Sequence, residues 1–205
     1  MKNSHPSCDT LIFDLFGVVI AFDEDQVYRR ISEFASDTAA AFKAIRGLVS
    51  NPELIRGRIT LKNIHEQRCV SQGLNLDFVS FESLWMVPYS EPMRGMAELL
   101  EELSKSFQLI LLSNVDRYYW QVVARNHPEL ALFTKRLLSW EMGMAKPDLP
   151  VFEHALIAAD CLASRCFFID DKIENINAAH TLGILGHTFT NVIALRAELS
   201  LNGIY

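Results

Sequence analysis

The stretch LIFDLFGVVIAFDED occupies residues 11–25, and its reading decides the fold. An apolar run ends on a carboxylate, Asp14, and a bulky aromatic, Phe16, follows two residues later. With Thr10 it forms TLIFD (10–14), too short for a helix and bounded by polar residues, which reads as a fully buried strand. FQLILLS (107–113) and CFFID (166–170) read the same way, with ILGHTF (184–189) weaker and RLLSW (136–140) a further candidate. Helical patterns lie between the later strands, at 92–105, 116–126, 150–159 and 174–183. In the first of these, Met93, Met96, Leu99, Leu100 and Leu103 share one face. Pro150 suits the first turn of its helix, and Gly183 stops the last one. Continuously apolar strands that alternate with helices imply a parallel sheet covered on both faces, an α/β doubly wound fold.

Residues 22–88 break that rhythm. They hold no convincing strand, while AFKAIRGLVS, LKNIHEQRCVSQG and DFVSFESLWMV look helical, with Thr60 placed to cap the helix starting near Leu61. The expected organisation is an α/β core made of 1–21 and 89–205, with an all-helical insert, 22–88, after the first strand. The 205 residues, half of them hydrophobic and 21% charged, have the composition of a globular chain with a sizeable core. The net charge of -6 argues against nucleic acid as a partner. No apolar run reaches the roughly 18 residues that span a membrane. The opening MKNSHPSCDT lacks the apolar centre of a signal peptide. Cys8, Cys69, Cys161 and Cys166 show no paired metal spacing. A cytoplasmic location with reduced thiols is the expectation.

In an open parallel sheet, ligands bind at the carboxyl ends of the strands. Those ends carry Asp14, then Ser113 and Asn114, then Asp170 and Asp171. Lys146 lies in the loop GMAKPDLP before a helix. Taken singly, each has an ordinary structural explanation: a turn, a helix cap, a solvated ammonium. Adjacent carboxylates after CFFI are harder to explain away, because charge near a core is costly. Together they would put three carboxylates, a hydroxyl, an amide and an ammonium in one cleft. Clustered carboxylates repel unless a cation sits among them, and hard oxygen ligands suit Mg²⁺. A lysine and a serine hydroxyl beside it suit a phosphate, and a carboxylate can attack phosphorus to form an aspartyl-phosphate.

In this order FDLFGVV (13–19), LLSN (111–114), Lys146 with Pro147, and FFIDD (167–171) followed by EN (174–175) resemble the haloacid dehalogenase superfamily. The resemblance spans almost the whole chain. SNVDR, EMGMAKPDLPVFEHAL and FFIDDKIENINAAHTLGI look most like its small sugar-phosphatase branch. It implies that Asp14 is the nucleophile and a Mg²⁺ ligand, with the Phe16 carbonyl and Asp171 as further ligands and Asp170 beside them. It implies that Ser113 and Asn114 hold phosphoryl oxygens and that Lys146 neutralises Asp14 and the phosphate. Asn175 would orient Asp171 or a water. It also implies that the insert acts as a cap that closes over the cleft and selects a small phosphate ester, such as a sugar phosphate.

One position departs from the pattern. Phosphatases of this family usually carry a second aspartate two residues after the nucleophile, as general acid and base, and here that position is Phe16. Such a group typically contributes about 10²–10⁴-fold in rate. Asp116 is a candidate substitute, and the substrate or a bound water is another. Dehalogenases of the superfamily carry an aromatic residue at this position but work without metal and do not need the Asp170–Asp171 pair. The expected activity is therefore a Mg²⁺-dependent phosphatase. Its rivals are a metal-independent dehalogenase and a binding protein on a decayed phosphatase scaffold. In the insert, Arg46, Arg56, Arg58, His65 and Trp85 are the candidates for substrate contact. Trp85 is expected in the core and His65 on a solvated helix face. Tyr118, Tyr119 and Trp120 divide between cleft mouth and core.

Overall fold

The computed structural model describes residues 8–69, 74–87 and 90–204; for Arg68 and Cys69 it describes only the backbone. Three expectations fall on other residues: the reading of the chain's start, residues 70–73 of a helical stretch, and the end of the insert at Pro88. Strand β1 (Thr10–Phe13) lies at the centre of a parallel sheet. It is flanked by β4 (Gln108–Ser113) and β6 (Cys166–Asp170). Outside these lie β5 (Lys135–Leu138) and β7 (Leu185–Thr188), giving the order β5-β4-β1-β6-β7. Side chains alternate across the sheet. Leu11 and Phe13 enter one apolar layer, which also takes residues of α6 (Met96–Leu103), α7 (Arg117–Asn126) and α11 (Val192–Leu201). Ile12 enters the other, with α9 (Leu149–Ala159) and α10 (Ile173–Thr181). Burial on both faces is why the three central strands are apolar along LIF, LILL and CFFI, while the edge strands KRLL and LGHT are not.

Between the sheet and the insert lies a small antiparallel pair absent from the sequence reading, β2 (Ile20–Phe22) with β3 (Ser90–Pro92). The intervening described residues form helices: α1 (Glu24–Ser32), α2 (Thr38–Ile45), α3 (Pro52–Ile55), α4 (Leu61–Ile64) and α5 (Phe78–Trp85). Asp37, Asn51, Thr60 and Asp77 each accept a backbone N–H at the start of a helix, so polar caps punctuate the insert. Short α8 (Ser139–Met142) follows β5. Among the described residues, no helix is long and apolar enough to cross a membrane.

His65 corrects the sequence expectation. It is buried, not solvated: α4 passes into a π-helical turn, His65–Cys69, and the ring enters the insert's core. There Nε2 donates to the Leu76 carbonyl at 2.7 Å, and the ring lies against Phe78 and Phe81. The hydrogen bond is what makes that burial tolerable.

Candidate active site

Because β1 is central, the polar residues at the ends of β1, β4 and β6 fall on neighbouring strands, at the switch point where α/β folds place ligands. Asp14 N–H donates to the Ile169 carbonyl at 2.8 Å, which extends the β1–β6 ladder to the carboxylate itself. The chain then turns sharply. Val19 and Ile20 N–H donate to the Leu15 carbonyl, and Gly17 N–H donates to the Ile20 carbonyl. Gly17 sits at φ +80°, and a Cβ there would lie 2.6 Å from Asp171 Oδ2. Glycine is thus required twice, for the left-handed backbone and for the approach of this loop to Asp171.

Lys146 is buried between two carboxylates. Its Nζ is 2.7 Å from Asp14 Oδ1 and 2.6 Å from Asp170 Oδ2. Asn114 fixes the lysine's main chain reciprocally: its Nδ2 donates to the Lys146 carbonyl (2.8 Å), and its Oδ1 accepts from Lys146 N–H (2.9 Å). Asp170 Oδ1 accepts from Lys172 N–H and from Asn175 Nδ2, both at 2.9 Å. Asn175 therefore holds Asp170, where the sequence reading gave it Asp171 or a water, because helix α10 carries its amide back over the end of β6. Ser113 Oγ is buried with no hydrogen-bond partner among the described residues.

One ammonium between two buried carboxylates leaves net negative charge. Burial pushes the Asp14 carboxyl up to about 7; Lys146 opposes the rise and Asp170 adds to it. Burial works against the Lys146 charge, yet Asp14 and Asp170 outweigh it and hold its pKa above the ordinary value. Asp171 is raised as well, by burial and then by Asp170. One oxygen from each of Asp14, Asp170 and Asp171 lies within 4.8 Å of the others. Both donors to Asp14 reach Oδ1, so Oδ2 receives no hydrogen bond from the described residues. An excess of buried negative charge and an oxygen with no protein donor fit a hard divalent cation.

Residues 8–183 match the sequence profile of the haloacid dehalogenase-like hydrolases. The chain belongs to that family. A sesquiterpene phosphatase of Aspergillus oryzae is 27% identical to it over 192 residues, covering 92% of this chain and 93% of that protein. A D-ribitol-5-phosphate phosphatase of Bacteroides thetaiotaomicron is 23% identical over 199 residues, covering 93% of this chain and 96% of that protein. A crystal structure of a HAD-family enzyme from the same bacterium, in complex with magnesium and inorganic phosphate, has the same fold. Its TM-score is 0.77 at 24% identity, covering 91% of this chain and 96% of that chain.

In this haloacid dehalogenase-like hydrolase the site opens into a cavity of about 510 Å³, lined by Asp14, Phe16, Asn114, Lys146, Asp171 and Asn175 together with residues of the insert. Ser113 is not among its lining residues. Of the insert's candidates only Arg56 lines it, tied at 2.7 Å to Asp148 in the loop that follows Lys146. Arg46 pairs with Asp25 and Arg58 with Glu53, away from the cavity. Trp85 is buried, as expected, and its indole N–H donates to Asp116 Oδ2 at 3.3 Å. Asp116 lines the cavity, but its carboxylate has other work: Oδ1 caps α7 by accepting from Tyr118 and Tyr119 N–H. Burial raises the Asp116 pKa, and those donors oppose the rise. Of the three aromatics after it, Tyr119 lines the cavity, while Tyr118 and Trp120 pack at the edge of the core.

The aromatic lining residue that sequence reasoning missed is Phe22. The Phe16 ring lies 4.8 Å from Phe22 and 6.1 Å from Tyr119, and Phe22 lies 5.2 Å from Tyr119, centroid to centroid. All three line the cavity that holds Asp14. The turn at Gly17 and strand β2 bring Phe22 back beside Phe16, a closure with no signature in local periodicity.

Proposed function

We propose that this chain is a Mg²⁺-dependent phosphatase that hydrolyses a small phosphate ester through an aspartyl-phosphate on Asp14. The observation that carries the reading is the set Asp14–Lys146–Asp170 with Asp171 at one end of the sheet, of which Asp14, Lys146 and Asp171 line one cavity. Asp14, the Phe16 carbonyl and Asp171 would hold Mg²⁺, which when bound supplies positive charge for the phosphoryl oxygens and for Asp14. Lys146 adds its ammonium to the same oxygens. Asp170 acts through Lys146, since both its oxygens already accept hydrogen bonds from protein groups. Asn114 holds the lysine loop, while the Ser113 hydroxyl, with no hydrogen-bond partner among the described residues, is buried behind the cavity lining. Asp14 attacks phosphorus, the ester P–O bond breaks, and the alkoxide leaves with the electron pair. Water then opens the acyl phosphate and returns Asp14 as a carboxylate. The helices of 22–88 act as the cap over this cleft, with Arg56–Asp148 as one contact across it.

The phosphatase names of both curated relatives support this reading, as does the magnesium and phosphate complex of the similar structure. The reading is tested by phosphate release from small phosphate esters with Mg²⁺ and with EDTA. Release that needs the metal and disappears in Asp14→Asn is the expected result. Chloride release from 2-haloacids in EDTA would replace it with the dehalogenase reading, and no turnover of either kind with the binding-protein one.

A further inference from the structure

The curated relatives are named for a terpenoid and for a polyol phosphate, two opposite kinds of leaving group, and the cavity distinguishes between them. Its wall beside Asp14 is the cluster of mutually tilted rings Phe16, Phe22 and Tyr119. The insert adds Val49, Pro52 and Ile55 to the lining. Several of its polar lining residues are already engaged with protein groups. Glu24 Oε2 accepts from Tyr28 Oη (3.3 Å) and from Ser50 Oγ (3.5 Å). Arg56 donates to Asp148 Oδ2 (2.7 Å) and to the Pro52 carbonyl (3.3 Å). On the core side, Asn114 and Asp116 are committed to Lys146, α7 and Trp85. The remaining charged residues, Asp171 and Lys172, stand at the β6 end with the acidic cluster. A polyol would give up hydration of several hydroxyls here for few free partners, and an unpaired buried hydroxyl is costly. A hydrocarbon would gain by covering the aromatic wall.

On the phosphatase reading, we infer that the organic group of the substrate is apolar and lies against the Phe16–Phe22–Tyr119 wall. Phe16 is thereby a specificity element: a carboxylate has been exchanged for contact surface. The reaction balances without a general acid from position 16. The Asp14 oxygen bonds to phosphorus, the ester P–O bond breaks, and the departing alkoxide takes its proton from water. The absence of that acid favours leaving groups that carry negative charge well, so an aryl ester should react faster than an alkyl ester of similar size.

The test uses the wild-type chain with Mg²⁺ and compares kcat/KM for octyl phosphate and glycerol 3-phosphate. Both release a primary alkoxide, and glycerol's, with its neighbouring hydroxyl, is the better leaving group, so a preference for octyl phosphate reports apolar contact. Phenyl phosphate and glucose 6-phosphate complete the set. Octyl phosphate is expected to exceed glycerol 3-phosphate by at least about tenfold, within the range that apolar pocket contacts supply. Phe22→Ser should reduce that ratio, and Phe22→Leu, which keeps an apolar surface, should retain most of it. Glycerol 3-phosphate or glucose 6-phosphate turning over as well as octyl phosphate, or better, would overturn the inference while leaving the phosphatase reading intact. No phosphate released from any of the four would overturn both.

Discussion

Gly17→Ala is the substitution whose consequence can be worked out most fully. At φ +80° an alanine pays a left-handed backbone penalty of about 1–2 kcal/mol. For a chain of this size that corresponds to a Tm loss of about 2–8 °C. The new Cβ would also lie 2.6 Å from Asp171 Oδ2 and 3.0 Å from its Cγ, so the carboxylate must turn away. Asp171 is exposed and short, so turning costs the fold little, but it removes an oxygen from the proposed metal site. Gly143→Ala is the control: its φ is +70° and nothing lies within 4 Å of a Cβ there. The assay is thermal unfolding of wild type and both variants, in EDTA and in saturating Mg²⁺. A tenfold loss of affinity removes about 1.4 kcal/mol of ligand stabilisation, or about 3–6 °C of the Mg²⁺-induced rise in Tm. Gly143→Ala should lose Tm yet keep the full Mg²⁺ increment, and Gly17→Ala should lose both. A Gly17→Ala protein with the wild-type increment would refute the reasoning that Gly17 exists to let Asp171 approach the site.

Three further outcomes follow from individual contacts. Asn175→Ala takes one of three donors from buried Asp170 and should cost about 1–3 kcal/mol in urea unfolding; an unchanged midpoint would mean that the amide does not hold Asp170. Phe16→Asp restores a general acid and base, so turnover of glycerol 3-phosphate should rise by up to about 10²–10⁴-fold; no rise would mean that proton transfer does not limit this enzyme. Burial raises the Cys8 thiol from 9.0 to about 11, so its thiolate fraction at pH 8 is about 100-fold below that of a free thiol. Peptide-resolved alkylation of Cys8 at pH 8 should be slower than that of a free thiol, and labelling at the free-thiol rate would contradict the burial.

The sheet was legible because burial on both faces leaves a plain mark: LIF (11–13), LILL (109–112) and CFFI (166–169) are apolar at every position and stop at polar residues. The acidic site was legible for the same reason, since charge at the end of a buried strand is expensive and its presence needs a cause. What escaped the sequence lies in contacts that no local pattern encodes. The three-residue strands IAF and SEP have no period to read, yet they bring Phe22 to Phe16. Arg56 finds Asp148 across 92 positions of sequence. His65 looked solvated by its polarity alone, but a π-turn and the Leu76 carbonyl give it a buried place. Sequence spacing gives Asn175 either Asp171 or a water, whereas the rise of α10 aims its amide at Asp170.

The most direct test of the account is the covalent state of Asp14 during turnover. The protein would be mixed with Mg²⁺ and phenyl phosphate, quenched in acid within the first turnovers, and its peptides mapped by mass spectrometry. The account predicts a phosphoryl group on the peptide that contains Asp14, absent in Asp14→Asn and in EDTA. Phosphate release with no adduct at Asp14, or an adduct on another residue, would contradict it.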